Sequence, residues 1–308
     1  MRPFPLLVVL GGCLSFSVQA AEPQDWLKRL AQAEKQNFQG TFIYERNGSF
    51  STHAIWHRGG ASAASERLLQ LDGAPQEIVR VDGRPQCVSG ALADQAVDVQ
   101  WPSNHLDAAQ LEQRYEVRML GASRVAGRPA TVLAMIPRDQ YRYAFELHLD
   151  DETALPLKSL LISEKGQLLE RLQFVSLEPR EQLESTALEP SSNCQPVSYS
   201  KVEEVAHSWR AGWVPPGFEL NRALQRSGSA SDQPVASLLY GDGLARFTVF
   251  LEPLNGASAE DARSQLGPTA VVSRRITTDR GDVMVTVVGE IPMGTAERVA
   301  LSMQDSAQ

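Results

Sequence analysis

Two histidines and two cysteines are the first residues here whose types and spacing could support chemistry. His53 and His57 stand at positions i and i+4, a spacing that on a helix would bring both imidazoles to one metal ion. Their segment alternates like a strand, and a strand rising about 3.3 Å per residue separates the pair by roughly 13 Å. Both are therefore read as sheet-surface residues with no metal role. Cys87 and Cys194 remain once a leader carrying Cys13 is removed. An even count in an oxidising compartment favours a disulfide between them over two buried thiols. Asp150-Asp151-Glu152 lacks the Gly and the ligand spacing of a calcium loop and reads as a solvated turn. No GxSxG, Walker loop, GxGxxG or HExxH occurs, so neither a catalytic constellation nor a cofactor is expected.

The chain that must position these residues has 308 residues, 43% hydrophobic and 21% charged. That composition is globular and fits two domains, and it excludes collagen-like, disordered and polytopic membrane chains. With 29 Lys+Arg against 37 Asp+Glu, the net charge is −8. An acidic chain without a basic run is no candidate for nucleic-acid binding, which needs clustered Lys and Arg. Arg2 opens an uncharged stretch through Leu6 to Leu10 that ends in Val18-Gln19-Ala20. This pattern predicts a secretory signal peptide over residues 1–20. An uncleaved anchor fits less well because of Pro5, Gly11 and Gly12, and lipidation at Cys13 because that cysteine stands too early.

Residues 23–37 carry Trp26, Leu27, Leu30 and Ala33 at helical spacing. Strands then alternate with turn dipeptides: 38–46 and 49–57 flank Asn47-Gly48, and 67–71, 76–81 and 85–89 are separated by Asp72-Gly73 and Asp82-Gly83. That chemistry predicts an antiparallel meander. After a helix or flap over 91–114, strands resume at 115–124, 130–136, 142–149, 157–163 and 167–177. The fold class expected is α+β: a large curved antiparallel sheet, or half-open barrel, with helical cover on residues 21–178. A polar linker at 179–205 and a smaller antiparallel α+β domain at 206–308 follow. The smaller domain is expected to hold five strands, a short helix after Ala257 and a closing helix over 295–302.

A two-residue turn at Asn47-Gly48 places Phe42, Tyr44, His53, Ile55 and His57 on one face. In the strand after Arg142, Tyr143, Phe145 and Leu147 share a face. If both faces are concave, Phe42, Tyr44, Ile55, Tyr143, Phe145 and Leu147 would line an apolar hollow fit for a small molecule. A core filled solid by its own side chains is the alternative. In the second domain Trp209, Trp213, Tyr240 and Arg246 are residues of the kind that anchor partners, with a purely structural use equally open.

The segments Phe38-Gln39-Gly40-Thr41-Phe42-Ile43-Tyr44, Arg67 to Gly73, Leu155-Pro156-Leu157-Lys158, Trp213-Val214-Pro215-Pro216-Gly217-Phe218, Tyr240 to Phe247 and Gly294 to Ala300 together resemble the MucB/RseB family. Its members are periplasmic regulators of the envelope-stress sigma factor. The resemblance implies a half-open barrel like those of the lipoprotein carriers LolA and LolB. It also implies binding to the periplasmic region of a MucA/RseA-like anti-sigma factor, which is thereby shielded from regulated proteolysis. The acyl chain of a lipoprotein or of lipopolysaccharide would act as release signal, and alginate synthesis would belong to the controlled regulon. A periplasmic lipid or lipoprotein carrier is the alternative, and a homo-oligomer stays open.

Overall fold

The computed structural model describes residues 22–33, 35–60, 63–90, 107–197, 209–227 and 234–305. The expected signal peptide, Cys13, most of the 91–114 flap and the end of the linker lie outside these residues.

Helix α1 (Pro23–Ala33) stops short of the predicted Asn37, which instead opens the first strand. Strands β1 (Asn37–Arg46), β2 (Ser49–Arg58), β3 (Ser65–Gln70), β4 (Glu77–Val81) and β5 (Arg84–Val88) form the meander. Helix α2 (Ala108–Arg114) leads into β6 (Tyr115–Val125), β7 (Arg128–Pro137), β8 (Ala144–Asp150), β9 (Pro156–Ile162) and β10 (Leu168–Arg180), and a short β11 (Gln195–Pro196) completes the set. They make one 11-stranded sheet in the order β11-β5-β4-β3-β2-β1-β10-β9-β8-β7-β6, with antiparallel pairing throughout. Among the described residues its end strands, β11 and β6, are not paired with each other, so the sheet does not close into a barrel there.

Local chemistry explains the hairpins. Asn47 (φ 55°) and Gly48 (φ 73°) both adopt positive φ, as a primed turn matched to strand twist requires. The resulting register sets Phe42 opposite His53 and Tyr44 opposite Ser51.

The inner face is packed as two clusters. Phe38, Phe42, Ile55, Leu68, Ile78, Leu172 and Phe174 form one, closed by Val125 from the far edge strand. Trp26, Leu27 and Leu30 of α1 and Leu111 of α2 pack on Tyr115, Leu133, Met135, Leu147 and Leu149 to form the other. Each such side chain contributes roughly 1.5 to 3 kcal/mol by leaving water. Helix α2 is held in place by Asp107, whose carboxylate accepts from the amides of Ala109 and Gln110.

Two surface expectations need correction. His53 and His57 are buried, because register stacks them on Phe42 and Phe38 with ring centroids 5.2 and 4.8 Å apart. Burial pushes the His53 pKa below its ordinary value, against the weaker pull of Asp72. Asp150 is likewise fully buried, since its carboxylate organises the turn. It accepts from Arg128 Nη2 at 3.0 Å and from the Thr153 amide and hydroxyl at 2.9 Å each. Burial alone would raise its pKa, but these hydrogen bonds hold it below the usual carboxylate value. Only Asp151 and Glu152 of that triplet are exposed.

The polar stretch after β10 lies on the first sheet as far as it is described. Leu188 is buried in a 3-10 turn (Ser185–Leu188), the Ser191 hydroxyl donates to buried Glu77, and β11 pairs Pro196 with Cys87. The disulfide joins Cys87 to Cys194 with the Cα atoms 5.5 Å apart.

The elements that follow are β12 (Trp209–Ala211), β13 (Glu219–Ser227), β14 (Pro234–Gly241), β15 (Arg246–Pro253), β16 (Ala262–Leu266), β17 (Thr269–Thr278), β18 (Gly281–Gly289), α3 (Met293–Ser302) and β19 (Met303–Asp305). Six strands run in the order β13-β14-β15-β18-β17-β16, and β12 pairs separately with β19. Helix α3 buries Ala296, Val299 and Ala300 in a cluster with Val272, Val285 and Val287. The short helix expected after Ala257 is absent, and the chain makes a tight turn from Leu254 to Ala257 and then strand β16. Pairing with β17 satisfies a backbone whose five side chains are all exposed, so no apolar periodicity marked that strand.

Candidate functional site

The two sheets meet along a seam on one rim of the large sheet, and its centre is a buried ion pair. Arg142 lies in the β7–β8 loop and Asp242 in the β14–β15 turn, with side chains 0% and 1% exposed. Arg142 Nη1 donates to Asp242 Oδ2, and Nη2 donates to the Pro216 carbonyl at 2.6 Å and to Asp139 at 2.9 Å. Tyr115 donates its hydroxyl to Asp242 Oδ2 at 3.2 Å. The other oxygen of Asp242 accepts from the amides of Leu244 and Ala245 at 3.0 and 2.7 Å. Each Asp242 carboxylate oxygen thus accepts two hydrogen bonds and all three Arg142 nitrogens donate, the kind of satisfaction that lets a charge pair be tolerated inside a protein. Burial works against the Arg142 charge, yet Asp242, Asp139 and Tyr115 outweigh it and raise its pKa. Tyr115 is pushed well up by burial and then by Asp242.

The loops are shaped for this approach. Asp139 accepts from the Tyr141 amide and closes the first loop on itself. Gly217 has φ +86° and lies against the Arg114 side chain, a left-handed backbone conformation that glycine adopts without the strain an L side chain would bring. Flanking the ion pair, Arg298 lies over the Trp213 ring at 3.8 Å, and Trp213 meets Tyr141 edge-on at 5.1 Å. Tyr143 donates to the Ile291 carbonyl at 3.2 Å, and burial first of all pushes its pKa up to about 12.

Further along the seam, Tyr44 donates to Glu170 at 2.7 Å, and Arg46 lies 3.7 Å from Glu170 and 3.5 Å from Glu290 of the second sheet. A shallow cleft of about 190 Å³ opens beside them, lined by Glu45, Asn47, Gly48, Leu168, Leu169, Glu170 and Gly267.

The six residues expected to line one hollow are distributed over three places. Phe42 and Ile55 belong to the cluster around Phe174, with the ring of Tyr44 packed against it and its hydroxyl at the seam. Leu147 and, partly, Phe145 belong to the helix-covered cluster. Tyr143 reaches the second sheet. Of the four candidate partner anchors, Trp209 is half-buried and sits opposite Asp305 in the two-stranded sheet. Trp213 is in the seam, and Tyr240 is buried and stacked on Phe247 at 5.1 Å. Arg246 is half-buried, close enough to bear electrostatically on Glu170.

Sequence reasoning missed Arg142, Asp242, Tyr115, Arg46, Glu170 and Glu290. The one local signal was the Gly-Asp-Gly turn at Asp242, which announces a turn but not a partner 100 positions away.

A large antiparallel sheet covered by helices and a smaller one joined to it through a buried ion pair define a two-part antiparallel-sheet protein. Models of the MucB/RseB N-terminal domain and C-terminal domain match residues 22–192 and 203–304. The chain belongs to the MucB/RseB family of sigma-factor regulatory proteins.

It is 59% identical to the sigma factor AlgU regulatory protein MucB of Pseudomonas aeruginosa, over 100% of this chain and 99% of that one. It is 26% identical to the sigma-E factor regulatory protein RseB of Escherichia coli K12, over 99% and 98% of the two chains. Among solved structures, a MucA/MucB complex from Pseudomonas aeruginosa matches with a TM-score of 0.80 at 59% identity, covering 94% of this chain and 100% of that one. MucB in complex with MucA(peri) matches with a TM-score of 0.79 at 58% identity, covering 93% and 100%.

Proposed function

We propose that this chain is a periplasmic regulator that binds the periplasmic region of a MucA/RseA-like anti-sigma factor and shields it from regulated proteolysis. A sigma factor controlling envelope-stress and alginate functions thereby stays off. The observation that carries this reading is full-length identity of 59% to a sigma-factor regulatory protein, with a 58% identical MucB solved in complex with MucA(peri). The periplasmic location is supported by the leader pattern and by the Cys87–Cys194 bond, which belongs in an oxidising compartment. Residues 21–178 would form the lipid-sensing domain, 179–205 the linker and 206–308 the partner-binding domain. Trp209, Trp213 and Arg246 would meet the partner, with Tyr240 supporting them from the core.

Acyl chains of lipoprotein or lipopolysaccharide would enter the first domain by parting its packed clusters, in which Phe42, Ile55 and Leu147 are buried, and so relieve the inhibition. Binding of lipid and partner must then be coupled, and the coupling is reciprocal. The test is a calorimetric titration of the partner's periplasmic region into the mature chain at several concentrations of a lipid-A-containing amphiphile. The affinity should fall by about 5- to 150-fold as lipid saturates, the range of typical coupling free energies. A protease added to the partner should cut it more slowly in the complex. Lipid-independent affinity would remove the sensor role and leave partner protection standing, whereas lipid uptake without partner binding would make the chain a carrier.

A further inference from the structure

The carboxyls of Glu170, on the first sheet, and Glu290, just past the second, both approach the guanidinium of Arg46. Glu170 opens β10 and Glu290 follows β18, and Arg46 Nη1 lies 3.7 Å from the first and 3.5 Å from the second. The three side chains are between 22% and 30% exposed, too dry for water to screen two like charges fully. Arg46 also donates to the Tyr44 hydroxyl at 3.2 Å and to Thr269 of β17, so it grips both sheets. The groups facing Glu170 are Tyr44 and Arg46 from β1, Arg246 from β15 and Glu290. Its neighbour on β9 is Leu161, and the adjacent Glu45–Arg171 pair is matched within the first sheet at 3.3 Å.

We propose that this carboxyl pair makes docking of the second domain on the first pH-dependent, tighter in mild acid and looser at neutral pH and above. The reason is that the docked seam holds Glu170 in its protonated form more readily than the undocked one. Burial first, and then the Glu290 charge, push its pKa from the ordinary 4.5 up to about 7, against the opposing pull of the Tyr44 hydrogen bond and the two arginines. Undocking removes Glu290 and the cover of the second sheet, so the pKa falls back towards its ordinary value.

The direction follows from proton linkage. Between the two values the docked state binds more protons, so docking weakens as pH rises through that window by up to about tenfold per unit. Above the upper value both states are ionised and the dependence ends.

Hydrogen exchange on the full mature chain reads this directly. Protection factors, from which the intrinsic pH dependence of exchange is removed, are measured for residues 44–50 and 265–270 from pH 5 to 8. They should fall with rising pH up to about 7 and then level off. Glu170→Gln should hold them high and flat. Glu290→Gln, which removes the like charge without touching the Tyr44 bond, should move the midpoint to lower pH. Protection constant within twofold from pH 5 to 8 in the wild type would overturn the proposal. So would a wild-type profile in Glu170→Gln, or an unmoved midpoint in Glu290→Gln.

Discussion

Replacing Asp242 with alanine should cost about 3 to 5 kcal/mol, the usual penalty for stripping one partner from a buried ion pair. Arg142 would keep Asp139 and the Pro216 carbonyl. Its charge, at 0% side-chain exposure, would nevertheless lose the carboxylate that most offsets its burial. The amides of Leu244 and Ala245 and the Tyr115 hydroxyl would lose their acceptor as well, and each unsatisfied buried group adds roughly 1 kcal/mol or more. Urea denaturation should show an earlier and less cooperative transition, because the sheets would no longer unfold as a unit. Arg142→Met combined with Asp242→Leu should recover much of the loss, since apolar replacements of a buried pair are often neutral. A loss under about 1 kcal/mol in Asp242→Ala would mean that the seam opens to water without resistance.

Removing the Cys87–Cys194 bond is the second large effect. The bond closes a loop with a sequence separation of 107, for which chain entropy gives about 4 to 5 kcal/mol at most. The local consequence is as specific as the global one. Strand β11 pairs with β5 over only two residues, and without the crosslink this short addition should leave and expose the β5 edge. Exposed edges invite pairing between molecules, so the reduced protein should aggregate at lower concentration as well as unfold earlier. Denaturation midpoints with and without reductant, alongside a thiol count in the unfolded protein, decide the matter. Two thiols in the unreduced protein, or a midpoint indifferent to reductant, would contradict it.

Much of the large sheet was legible from its turns. Asn47-Gly48 and Asp82-Gly83 take up positive φ at both positions, which few other dipeptides tolerate, and the register of Phe42 with His53 followed by counting outward. The cysteine pairing was legible too, because only two cysteines follow Cys13. Strand β16 was not, since exposed side chains carry no period. The histidines were misread as surface residues because a strand pattern names the face a residue shares but not what covers that face.

What the sequence determined by itself, then, were the features set by near neighbours or by simple counting: turns, most strands, two of the helices and the disulfide. Family membership was also written in it, through six separate segments. Tertiary structure alone decided which buried polar groups meet. Arg142 and Asp242 are 100 positions apart, and Tyr44 and Glu170 are 126 apart. No local propensity encodes such a pairing, because the energy that selects it exists only once both groups have lost their water. For the same reason the six apolar candidates, alike in sequence, were assigned to two cores and a seam only when the sheet curled and the second domain came to rest on its rim.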